Sequence, residues 1–383
     1  MEYKEYTLDE LLPYEQPGAY IVKSTEYNDA YETPVLTAGK TFILGYTNET
    51  EGVFDKFPVI IFDDFTTASK FVNFKFKVKS SAMKILNINT ELVLPKYIFY
   101  RMQVINVDHS THKRYWIQHY SKIKIKVPPI SEQKRIVSKI EELFSSLDNA
   151  VETLNKTKDQ LLIYRQAVLK KAFESDKEWE ECVLGDVISV LTDYHSNGSY
   201  KDLKAHVTLL DEPDYAIMIR STNFEKDDFS VDLKFINEDS YNYLRKSQIF
   251  GGEVLMGKIG NAGRVYYMKN LNCPVSLAMN LFAMRFRDDV DSKFVYYYLK
   301  TNEATMDIKQ YVKGVGTPTI DKKGVRRIKF RFPDKNRQIE LVKEIERRLS
   351  SCDSIEKTID IALKQSEAIR KSILKEAFEG RLI

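Results

Sequence analysis

The feature that most constrains the fold of this chain is a long segment that occurs twice. When the 383-residue sequence is compared with itself at an offset of 205, residues 128–175 align with residues 333–380 without a gap. Of these 48 positions, 16 are identical, and the two copies end in the similar phrases RQAVLKKAFES and RKSILKEAFEG. A repeat of this kind predicts that the chain is built from two related halves.

Each copy of the repeat is predicted to form one long helix. Proline precedes both copies, and Ser131 and Asn336 are candidate N-cap residues. Apolar residues recur about every seven positions, as in helices that pack against another helix. They are Ile140, Leu147, Leu154, Leu161 and Val168 in the first copy, and Ile345, Cys352, Ile359 and Ile373 in the second. A helix of about 44 residues extends roughly 66 Å, and the other copy is the nearest available partner.

The similarity between the halves continues upstream of both helices. The phrase KIKIKVPP before the first helix matches RIKFRFP before the second, and the start EYKEYTLDEL resembles EWEECVLGDV. Strand-like runs such as FPVIIF and NLFAMRF place β-structure in each half. We therefore expect a globular domain over 1–127, a helix over 128–175, a second globular domain over 176–332 and a second helix over 333–383.

Charge is distributed unevenly along the first half of the chain. Residues 1–68 carry four Lys or Arg and thirteen Asp or Glu, whereas residues 69–126 carry twelve and two. This pattern favours one face turned toward a polyanion, although a solvated basic surface would look the same. The three cysteines are never in a CxxC pair, and neither a signal-peptide pattern nor an apolar run of roughly 20 residues is present. We expect a cytoplasmic protein.

The repeated phrase and the order of the parts resemble the specificity subunits of type I restriction–modification systems. The resemblance is carried by PPISEQKRIVSKIEELFSSLDNAVETLNKTKDQLLIYRQAVLKKAFES, by the EWxxxxLGD-type domain start and by the basic strand that enters each helix. It covers essentially the whole chain. The second helix departs from the family pattern, because DKNRQ stands where PLxEQ is usual.

The resemblance implies an α+β fold, in which two mixed α/β target recognition domains are joined by two long helices. The helices would form an antiparallel coiled coil within a pseudo-twofold internal repeat, and each domain would read one half of a bipartite DNA site. The implied partners are double-stranded DNA, two adenine-N6 methyltransferase subunits and the restriction subunits. S-adenosylmethionine, ATP and Mg²⁺ would be bound by those subunits, and this chain would need no cofactor. The alternative is a coiled-coil interaction scaffold whose globular ends bind proteins.

Motifs for catalysis are missing from the sequence. It contains neither the D/N-P-P-Y/F motif of adenine methyltransferases nor a GxxxxGK[ST] phosphate loop, and 257–264 matches no nucleotide-binding fingerprint. The pair Asp63 and Asp64 could suggest a metal-dependent nuclease, but no further ligand stands at a convincing spacing. His109 and His112 likewise lack a ligand cluster. We therefore expect a non-catalytic chain without a metal site.

Polar and basic stretches at matching places in the two halves are the candidate DNA contacts. Phosphate binding needs Lys or Arg, and base reading needs polar side chains that reach base edges. The loop 109–115 precedes the first helix and falls on 314–320 under the same offset, while 66–70 corresponds to 257–264 and 37–41 to 220–223. The candidates are Lys40, Thr41, Thr66, Thr67, Ser69, Lys70, His109, Thr111, His112, Lys113, Arg114, Tyr115, Arg220, Asn223, Lys258, Asn261, Arg264, Lys313, Gly314, Gly316, Thr317 and Thr319.

Two further groups of residues are assigned from their periodicity. Lys75, Lys77 and Lys79 alternate, which predicts three lysines on one strand face and makes Lys75 and Lys77 candidates for phosphate contact, although a lysine-blunted edge strand would look the same. Arg165 and Arg370 interrupt the apolar seam at equivalent positions, which favours a specific partner for each. The candidate partner-binding residues on the helices are Leu147, Leu154, Arg165, Ile359 and Arg370.

Overall fold

The computed structural model describes residues 3–39, 41–105, 114–174 and 179–382, which fall into two compact units. The first unit comprises residues 1–155 and 360–383, and the second comprises residues 156–359. Each unit therefore holds one globular domain and a part of each long helix. The first unit has the start of the first helix and the end of the second, and the second unit has the end of the first helix and the start of the second. The boundary runs through both helices, because each helix half packs on the domain of its own unit.

The globular domain of the first unit is a mixed α/β structure that leads into a 44-residue helix. Its elements are β1 (Lys4–Thr7), α1 (Leu8–Leu11), β2 (Tyr14–Glu15), β3 (Thr33–Leu36), β4 (Ile43–Thr47), β5 (Val59–Asp63), β6 (Ser69–Val72), β7 (Lys77–Val78), β8 (Met83–Asn87), α2 (Pro95–Met102), α3 (Tyr115–Gln118), β9 (Lys124–Val127) and α4 (Ile130–Phe173). The turns Pro17–Tyr20 and Tyr120–Lys122 are 3₁₀-helical.

Two small sheets form the body of the first domain. One has the strand order β2-β8-β5-β6, with antiparallel neighbours, and the other has the order β4-β3-β7, in which β3 and β7 run parallel. β1 pairs antiparallel with β9, the strand that enters α4. Because β5 is apolar on both faces, its residues reach two core clusters, with Ile60 and Phe62 in one and Val59 and Ile61 in the other.

The second domain repeats this plan with longer insertions. Its elements are β10 (Glu180–Val183), α5 (Leu184–Val187), β11 (Ile188–Asp193), α6 (Tyr200–His206), β12 (Ala216–Ile219), α7 (Ser221–Glu225), β13 (Phe235–Ile236), α8 (Glu238–Tyr243), β14 (Gln248–Ile249), β15 (Val254–Gly257), β16 (Val265–Tyr267), β17 (Val275–Leu277), β18 (Leu281–Phe286), α9 (Ser292–Leu299), α10 (Asn302–Tyr311), α11 (Lys322–Arg327), β19 (Lys329–Phe332) and α12 (Lys335–Phe378). The turns Tyr194–Asn197 and Arg245–Ser247 are 3₁₀-helical.

The sheets of the second domain match those of the first strand for strand. The order β11-β18-β15-β16 repeats β2-β8-β5-β6, and β13-β12-β17 repeats β4-β3-β7, with β14 added at one edge. The parallel pair recurs as β12 with β17, and β10 pairs antiparallel with β19 as β1 does with β9. The α+β class is confirmed, and the sequence repeat reflects a duplicated domain together with its helix.

Both long helices begin a few residues earlier than the N-cap prediction placed them. α4 begins at Ile130 and α12 at Lys335, so Ser131 and Asn336 lie inside the helices and the N-cap prediction is wrong. At α12 the carboxylate of Asp334 accepts hydrogen bonds from the amides of Asn336 and Arg337 at 3.0 and 3.2 Å. Asp334 is therefore the capping residue, as expected of an acidic side chain beside free backbone N–H groups.

Within each unit, the two helix segments run antiparallel. In the first unit Val151 and Leu363 line one groove, Asp148 contacts Arg370, and Ile140 shares a core with Ala377. Residue numbers thus rise along one helix as they fall along the other. In the second unit Arg165 contacts Asp353, while Leu169 and Phe173 share a core with residues 341–345. The heptad positions Ile140, Leu161, Val168, Ile345, Cys352 and Ile359 are buried, so the apolar seam faces inward as predicted.

Candidate nucleic-acid interface and helix pair

In both domains, the loop that precedes the entry to the long helix is fixed to the end of the central strand. In the first domain Asp64, next after β5, accepts a hydrogen bond at its backbone oxygen from the amide of Tyr115 at 3.0 Å. In the second domain Lys258, next after β15, accepts one from the amide of Ile320, also at 3.0 Å. Tyr115 and Ile320 are equivalent under the offset of 205. The backbone frame at this point is therefore the same in both copies.

The side chain at this anchor differs between the domains, and in the first domain it is closed off from solvent. The Asp64 carboxylate accepts a hydrogen bond from the amide of Trp116 at 2.8 Å and lies 3.7 Å from the Lys84 ammonium, and both charged side chains are almost fully buried. The neighbouring Asp63 carboxylate accepts two hydrogen bonds from the amides of the turn that follows β5. Both carboxylates therefore have structural partners, which argues against the metal-dependent nuclease alternative.

In the second domain the anchor is a lysine, and a buried carboxylate holds it. The Lys258 ammonium lies 2.6 Å from one oxygen of Asp193, the last residue of β11, and the Lys322 ammonium lies 2.9 Å from the other. Ser196 donates a hydrogen bond to Asp193 at 2.6 Å, and His195 lies 3.5 Å from the Lys258 ammonium. Burial by itself would raise the pKa of Asp193, but hydrogen bonds from Lys258, Ser196 and Lys322 outweigh it and lower the pKa to about 2.

Two of the stretches predicted to contact DNA lie against each other in the second domain. The loop 313–319 closes as a hairpin, because the backbones of Lys313 and Thr319 exchange two hydrogen bonds of 2.8 Å. The amide of Gly260, in the loop 257–264, donates to the oxygen of Pro318 at 2.9 Å, and Ile259 forms a bridge with Thr319. Lys313, Gly314, Gly316, Thr317, Asn261 and Arg264 are exposed on this loop pair, and Thr319 is half-buried.

The third predicted stretch of the second domain, 220–223, is mainly structural. Asn223 is buried; its side chain accepts from the amide of Arg220 at 3.0 Å and donates to the oxygen of Asp228, so its assignment as a DNA contact is wrong. Arg220 is half-buried and its guanidinium donates to the oxygen of Asp232. The exposed Arg264 is paired with Glu225, one residue of the α7 helix that follows. Thr222 is exposed and Ser221 is half-buried, so every residue of this stretch except Asn223 retains some access to a ligand.

Two of the predicted residues in the first domain are also interior residues. Lys77 is 1% exposed although β7 is the edge strand of its sheet, and its ammonium pairs with Glu49 at 3.1 Å and donates to the oxygen of Glu51. The prediction that three lysines share one strand face is therefore wrong, since only Lys75 and Lys79 are exposed. Tyr115 is 2% exposed and packs in the core, so its assignment is corrected too.

The remaining candidates of the first domain lie on loops or at the start of β6. Thr41, Thr66, Lys75 and Arg114 are exposed, and Thr67, Ser69 and Lys70 are half-buried. Thr66 and Thr67 form the turn between β5 and β6, which is the place that loop 257–264 takes in the second domain. Lys40, His109, Thr111, His112 and Lys113 lie outside the described residues.

Each long helix is fixed to its own domain by a buried glutamine. The Gln133 amide accepts from the amide of Leu94 at 2.7 Å and donates to the oxygens of Leu92 and Pro128 at 3.0 and 2.9 Å. Gln338, its equivalent in the repeat, makes the same three contacts with Asp291, Asp289 and Pro333 at 2.8, 3.1 and 2.8 Å. Both glutamines are 0% exposed. The side chain thus satisfies three backbone groups that would otherwise be buried without a partner.

The arginines that interrupt the seam have their partners inside the chain. In the second unit the Arg165 guanidinium lies 2.7 Å from Asp353 and 2.9 Å from Glu356. In the first unit Arg370 pairs with Asp148 and lies over the Phe144 ring. Asp148 and Asp353 are equivalent under the offset, so one contact is made twice. These contacts favour a role for both arginines in holding the helix pair, and their assignment as partner-binding residues stays a prediction. Leu147 and Leu154 are half-buried and Ile359 is buried on the inward side of the seam.

Apolar side chains remain exposed on the outer face of α4 in the second unit. Leu162, Ile163 and Tyr164 are 58%, 71% and 48% exposed, and Ile355 on α12 is 46% exposed. Under the offset, Leu162 and Ile163 correspond to Glu367 and Ala368. Exposed apolar side chains of this kind are typical of a protein-binding surface. Tyr164 corresponds to Ile369, which is 48% exposed, so part of this exposure recurs in the second copy.

In residues 3–39, 41–105, 114–174 and 179–382, no group of three or more His, Cys, Asp or Glu side chains is arranged to hold a metal ion. No helix among these residues is long and apolar enough to cross a membrane. The three cysteines are free thiols.

Sequence reasoning missed several residues that the fold brings to the loop pair. Asp193, His195, Ser196 and Lys322 come from the end of β11 and the start of α11, and they surround Lys258. Asp193 is 65 residues from Lys258 and more than a hundred from Lys322 in the sequence, and no short motif connects them. Only the matching of β11 to β2 in the repeat could have indicated that this strand end lies beside the recognition loops.

The family described as "Type I restriction modification DNA specificity domain" matches residues 1–162 and 176–365. Among curated relatives, the EcoR124I/EcoR124II specificity subunit of Escherichia coli is 43% identical over 192 residues, and the EcoBI specificity subunit of the same organism is 24% identical over 282 residues. These alignments cover 47% and 67% of this chain, and they span 47% and 58% of the relatives' own lengths. The MjaVIII specificity subunit of Methanocaldococcus jannaschii is 23% identical over 386 residues, covering 94% of this chain and 84% of that protein.

Two solved structures share the fold along nearly the whole chain. One belongs to the work described as "Structural basis underlying complex assembly and conformational transition of the type I R-M system"; it has a TM-score of 0.70 at 15% identity and covers 99% of this chain and 98% of its own. The other is the HsdS subunit of Thermoanaerobacter tengcongensis, with a TM-score of 0.52 at 15% identity, covering 99% and 97% of the two chains. At this identity the likeness concerns the fold alone.

Proposed function

The chain belongs to the type I restriction–modification DNA specificity family, and on that premise we propose that it is the sequence-specific DNA-recognition subunit of a type I restriction–modification complex. In this role it reads a bipartite target and positions adenine-N6 methyltransferase subunits and restriction–translocase subunits on it. Each globular domain reads one half of the target. We place the complex in the cytoplasm, where the DNA to be recognised lies.

The observation that carries this proposal is the contrast between a shared frame and divergent loops. The backbone bonds of Asp64 and Lys258, and the contacts of Gln133 and Gln338, are the same in both domains. The side chains that the loops present are different in each. A protein that reads two different half-sites with one architecture needs this division between constant frame and variable loops.

The loop pair of the second domain has the properties that base and phosphate recognition requires. Lys258, Lys313 and Asn261 supply donors, and Gly260, Gly314 and Gly316 allow the backbone to come close to DNA. Gly260 and Gly314 have φ angles of +78° and +91°, which residues with a Cβ rarely adopt. Substitution of either glycine therefore alters the shape of the loop as well as its surface.

We propose that the chain itself is not catalytic and binds no cofactor. The sequence lacks nucleotide and methyl-donor motifs, and the two adjacent acids at the end of β5 are committed to structural contacts. S-adenosylmethionine, ATP and Mg²⁺ belong, on this proposal, to the partner subunits. On this proposal, the exposed apolar residues of the helix pair, such as Leu162, Ile163 and Ile355, are candidates for contact with a methyltransferase subunit.

The proposal is tested by measuring equilibrium binding of the chain, assembled with its methyltransferase subunits, to duplexes of different sequence. We expect binding that depends on sequence and falls steeply between 50 and 200 mM salt. The scaffold alternative, in which the globular ends bind proteins, predicts no preference among duplexes. Equal affinity for all duplexes therefore refutes the recognition role.

A further inference from the structure

A buried carboxylate gathers two lysines at the base of the recognition loops of the second domain. Asp193 is 4% exposed, and its two oxygens are shared between the ammonium groups of Lys258 and Lys322 at 2.6 and 2.9 Å. Lys258 begins the loop that follows β15, and Lys322 is the first residue of α11, directly after the hairpin 313–319. One side chain from β11 thus fixes both loops of the pair.

The cluster carries more positive charge than its carboxylate neutralises. Two ammonium groups face one carboxylate, so the group of three carries one positive charge in excess. Each ammonium has three protons. Among the described residues, the Lys258 ammonium contacts Asp193 and His195, and the Lys322 ammonium contacts Asp193 and Ser196. This count leaves one N–H donor on each lysine for a ligand, and the Lys258 ammonium also lies 5.5 Å from the centroid of the Phe282 ring.

The two lysines are still reachable from solvent, whereas the carboxylate is not. The side chains of Lys258 and Lys322 are 21% and 39% exposed, and that of Asp193 is 5% exposed. The backbone of Lys258 is fixed by two further bonds, because its amide donates to the oxygen of Asn280 at 2.8 Å and its oxygen accepts from Ile320. Two convergent, partly buried cations on a rigid base are the arrangement in which an anion is held most strongly.

We propose that Asp193 is a positioning residue for DNA binding, which holds Lys258 and Lys322 together as a seat for one backbone phosphate of the DNA. The inference rests on the proposed recognition function. It adds that the two domains differ at this place, as far as the described residues 3–39, 41–105 and 114–127 of the first domain are concerned. In the first domain, Asp64 and Lys84 balance each other in the interior, with side chains 2% and 4% exposed.

The proposal predicts an effect whose sign differs from that of simple electrostatics. Replacing Asp193 by Asn removes a negative charge beside DNA, which by charge alone strengthens binding. If Asp193 positions the lysines, the same change releases them and weakens binding. The loss of one phosphate contact also lowers the steepness of the salt dependence by about 0.9.

The test uses the full chain with its methyltransferase subunits and measures affinity for target duplex and scrambled duplex at several salt concentrations between 50 and 200 mM. We expect Asp193→Asn to weaken target binding by about tenfold and to lower the salt slope by about 1, and Asp193→Glu to restore part of both. The matched control is Asp227→Asn, which removes the same charge from an exposed pair with Lys269 in the same domain. We expect no loss of affinity in the control.

Unchanged or tighter binding by Asp193→Asn overturns the proposal, as does an equal loss in the Asp227 control. If Asp193→Asn fails to fold, Lys322→Gln replaces it, because Lys258 still pairs with Asp193 in that variant. It should lower the salt slope by up to about 1, and an unchanged slope overturns the proposal. If the unsubstituted complex does not distinguish target from scrambled duplex, the recognition function itself fails, and the two failures are thereby separated.

Discussion

Replacing the buried glutamine at the start of either long helix should destabilise the unit that contains it by the same amount, because Gln133 and Gln338 make equivalent contacts. Gln133→Leu replaces a 0%-exposed amide by an apolar side chain of similar size, so the change in packing is small. It leaves one amide N–H and two carbonyl groups of the backbone without the partner that the side chain provided. Gln338→Leu removes the same three contacts from the second unit.

The magnitude follows from these three hydrogen bonds. Each contributes about 0.5–1.5 kcal/mol, and a buried group left unpaired costs about 1–3 kcal/mol, while the leucine recovers part of this by burying apolar surface. We expect each variant to lower the free energy of unfolding of its unit by about 3 kcal/mol. Because the geometry is the same in both copies, the two losses should agree to within about 1 kcal/mol.

The assay is urea unfolding followed by tryptophan fluorescence, for which the chain provides one reporter in each unit. Its two tryptophans are Trp116, buried in the first unit, and Trp179, in the second. Trp179→Phe leaves a reporter for Gln133→Leu, and Trp116→Phe leaves one for Gln338→Leu. The controls are Gln365→Leu in the first unit and Gln166→Leu in the second.

The two control glutamines are exposed on the helices, so their replacement should change stability by less than about 0.5 kcal/mol. A loss below about 1 kcal/mol at Gln133 or Gln338 would refute the reasoning that these amides satisfy buried backbone groups. Losses that differ widely between the two would refute the claim that the frame is duplicated.

Three further predictions concern charged residues, and urea unfolding and DNA binding check them. The pKa of Asp193, about 2, lies below its ordinary value of 3.8, so the stabilisation by its carboxylate is complete above about pH 4 and is lost as the pH falls through about 2. The free energy of unfolding of the wild type should therefore exceed that of Asp193→Asn by about 2 kcal/mol at pH 6, and this difference should vanish near pH 2. Arg165→Ala and Arg370→Ala should each lower the free energy of unfolding by about 1 kcal/mol at 0.1 M NaCl and by less at 1 M, because salt screens partly exposed ion pairs. A loss of stability that does not depend on salt contradicts this. Lys75→Ala should lower the salt slope of DNA binding by about 1 without destabilising the protein, whereas Lys77→Ala should cost about 3 kcal/mol because it breaks a buried pair; the reverse pattern contradicts the burial of Lys77.

The helices and the duplicated plan could be predicted from the sequence because both rest on long periodic signals. The heptad positions run from Ile140 to Val168 in α4 and from Ile345 to Ile373 in α12, and a repeat at a fixed offset needs no knowledge of tertiary contacts. The same offset brings Tyr115 onto Ile320, and these residues make the equivalent backbone bond in the structure. Pattern length is therefore what made these predictions succeed.

The errors arose where a short pattern was interpreted without its tertiary surroundings. The alternation of Lys75, Lys77 and Lys79 is typical of an exposed strand, but β7 is only two residues long and the Lys77 side chain is buried against Glu49 and Glu51. Asn223 belongs to a polar stretch that looks like a binding turn, yet its side chain is used by the backbone of that turn. Local polarity indicates hydrogen bonding, and only the fold decides whether the partner is the chain or a ligand.

The sequence indicated that Arg165 and Arg370 each have a specific partner, but it did not identify that partner. A charged residue at a seam position indicates a specific partner, and the structure supplies that partner as Asp353 in one unit and Asp148 in the other. The acids were part of the same repeated phrase, SSxD, in both copies. The pairing could have been proposed only after the antiparallel register was known, because each arginine and its acid are far apart in the chain.

The most direct test of the account is a map of methylated adenines in cells that express the chain with its methyltransferase subunits, compared with cells that express a Thr317→Ala, Thr319→Ala variant. Both threonines lie on the loop before the second helix, and neither belongs to the duplicated frame. The account predicts a two-part motif in the first map, and in the second map a motif with one half relaxed and the other unchanged. A motif that is absent, or that changes in both halves together, would contradict the claim that each domain reads its own half of the target.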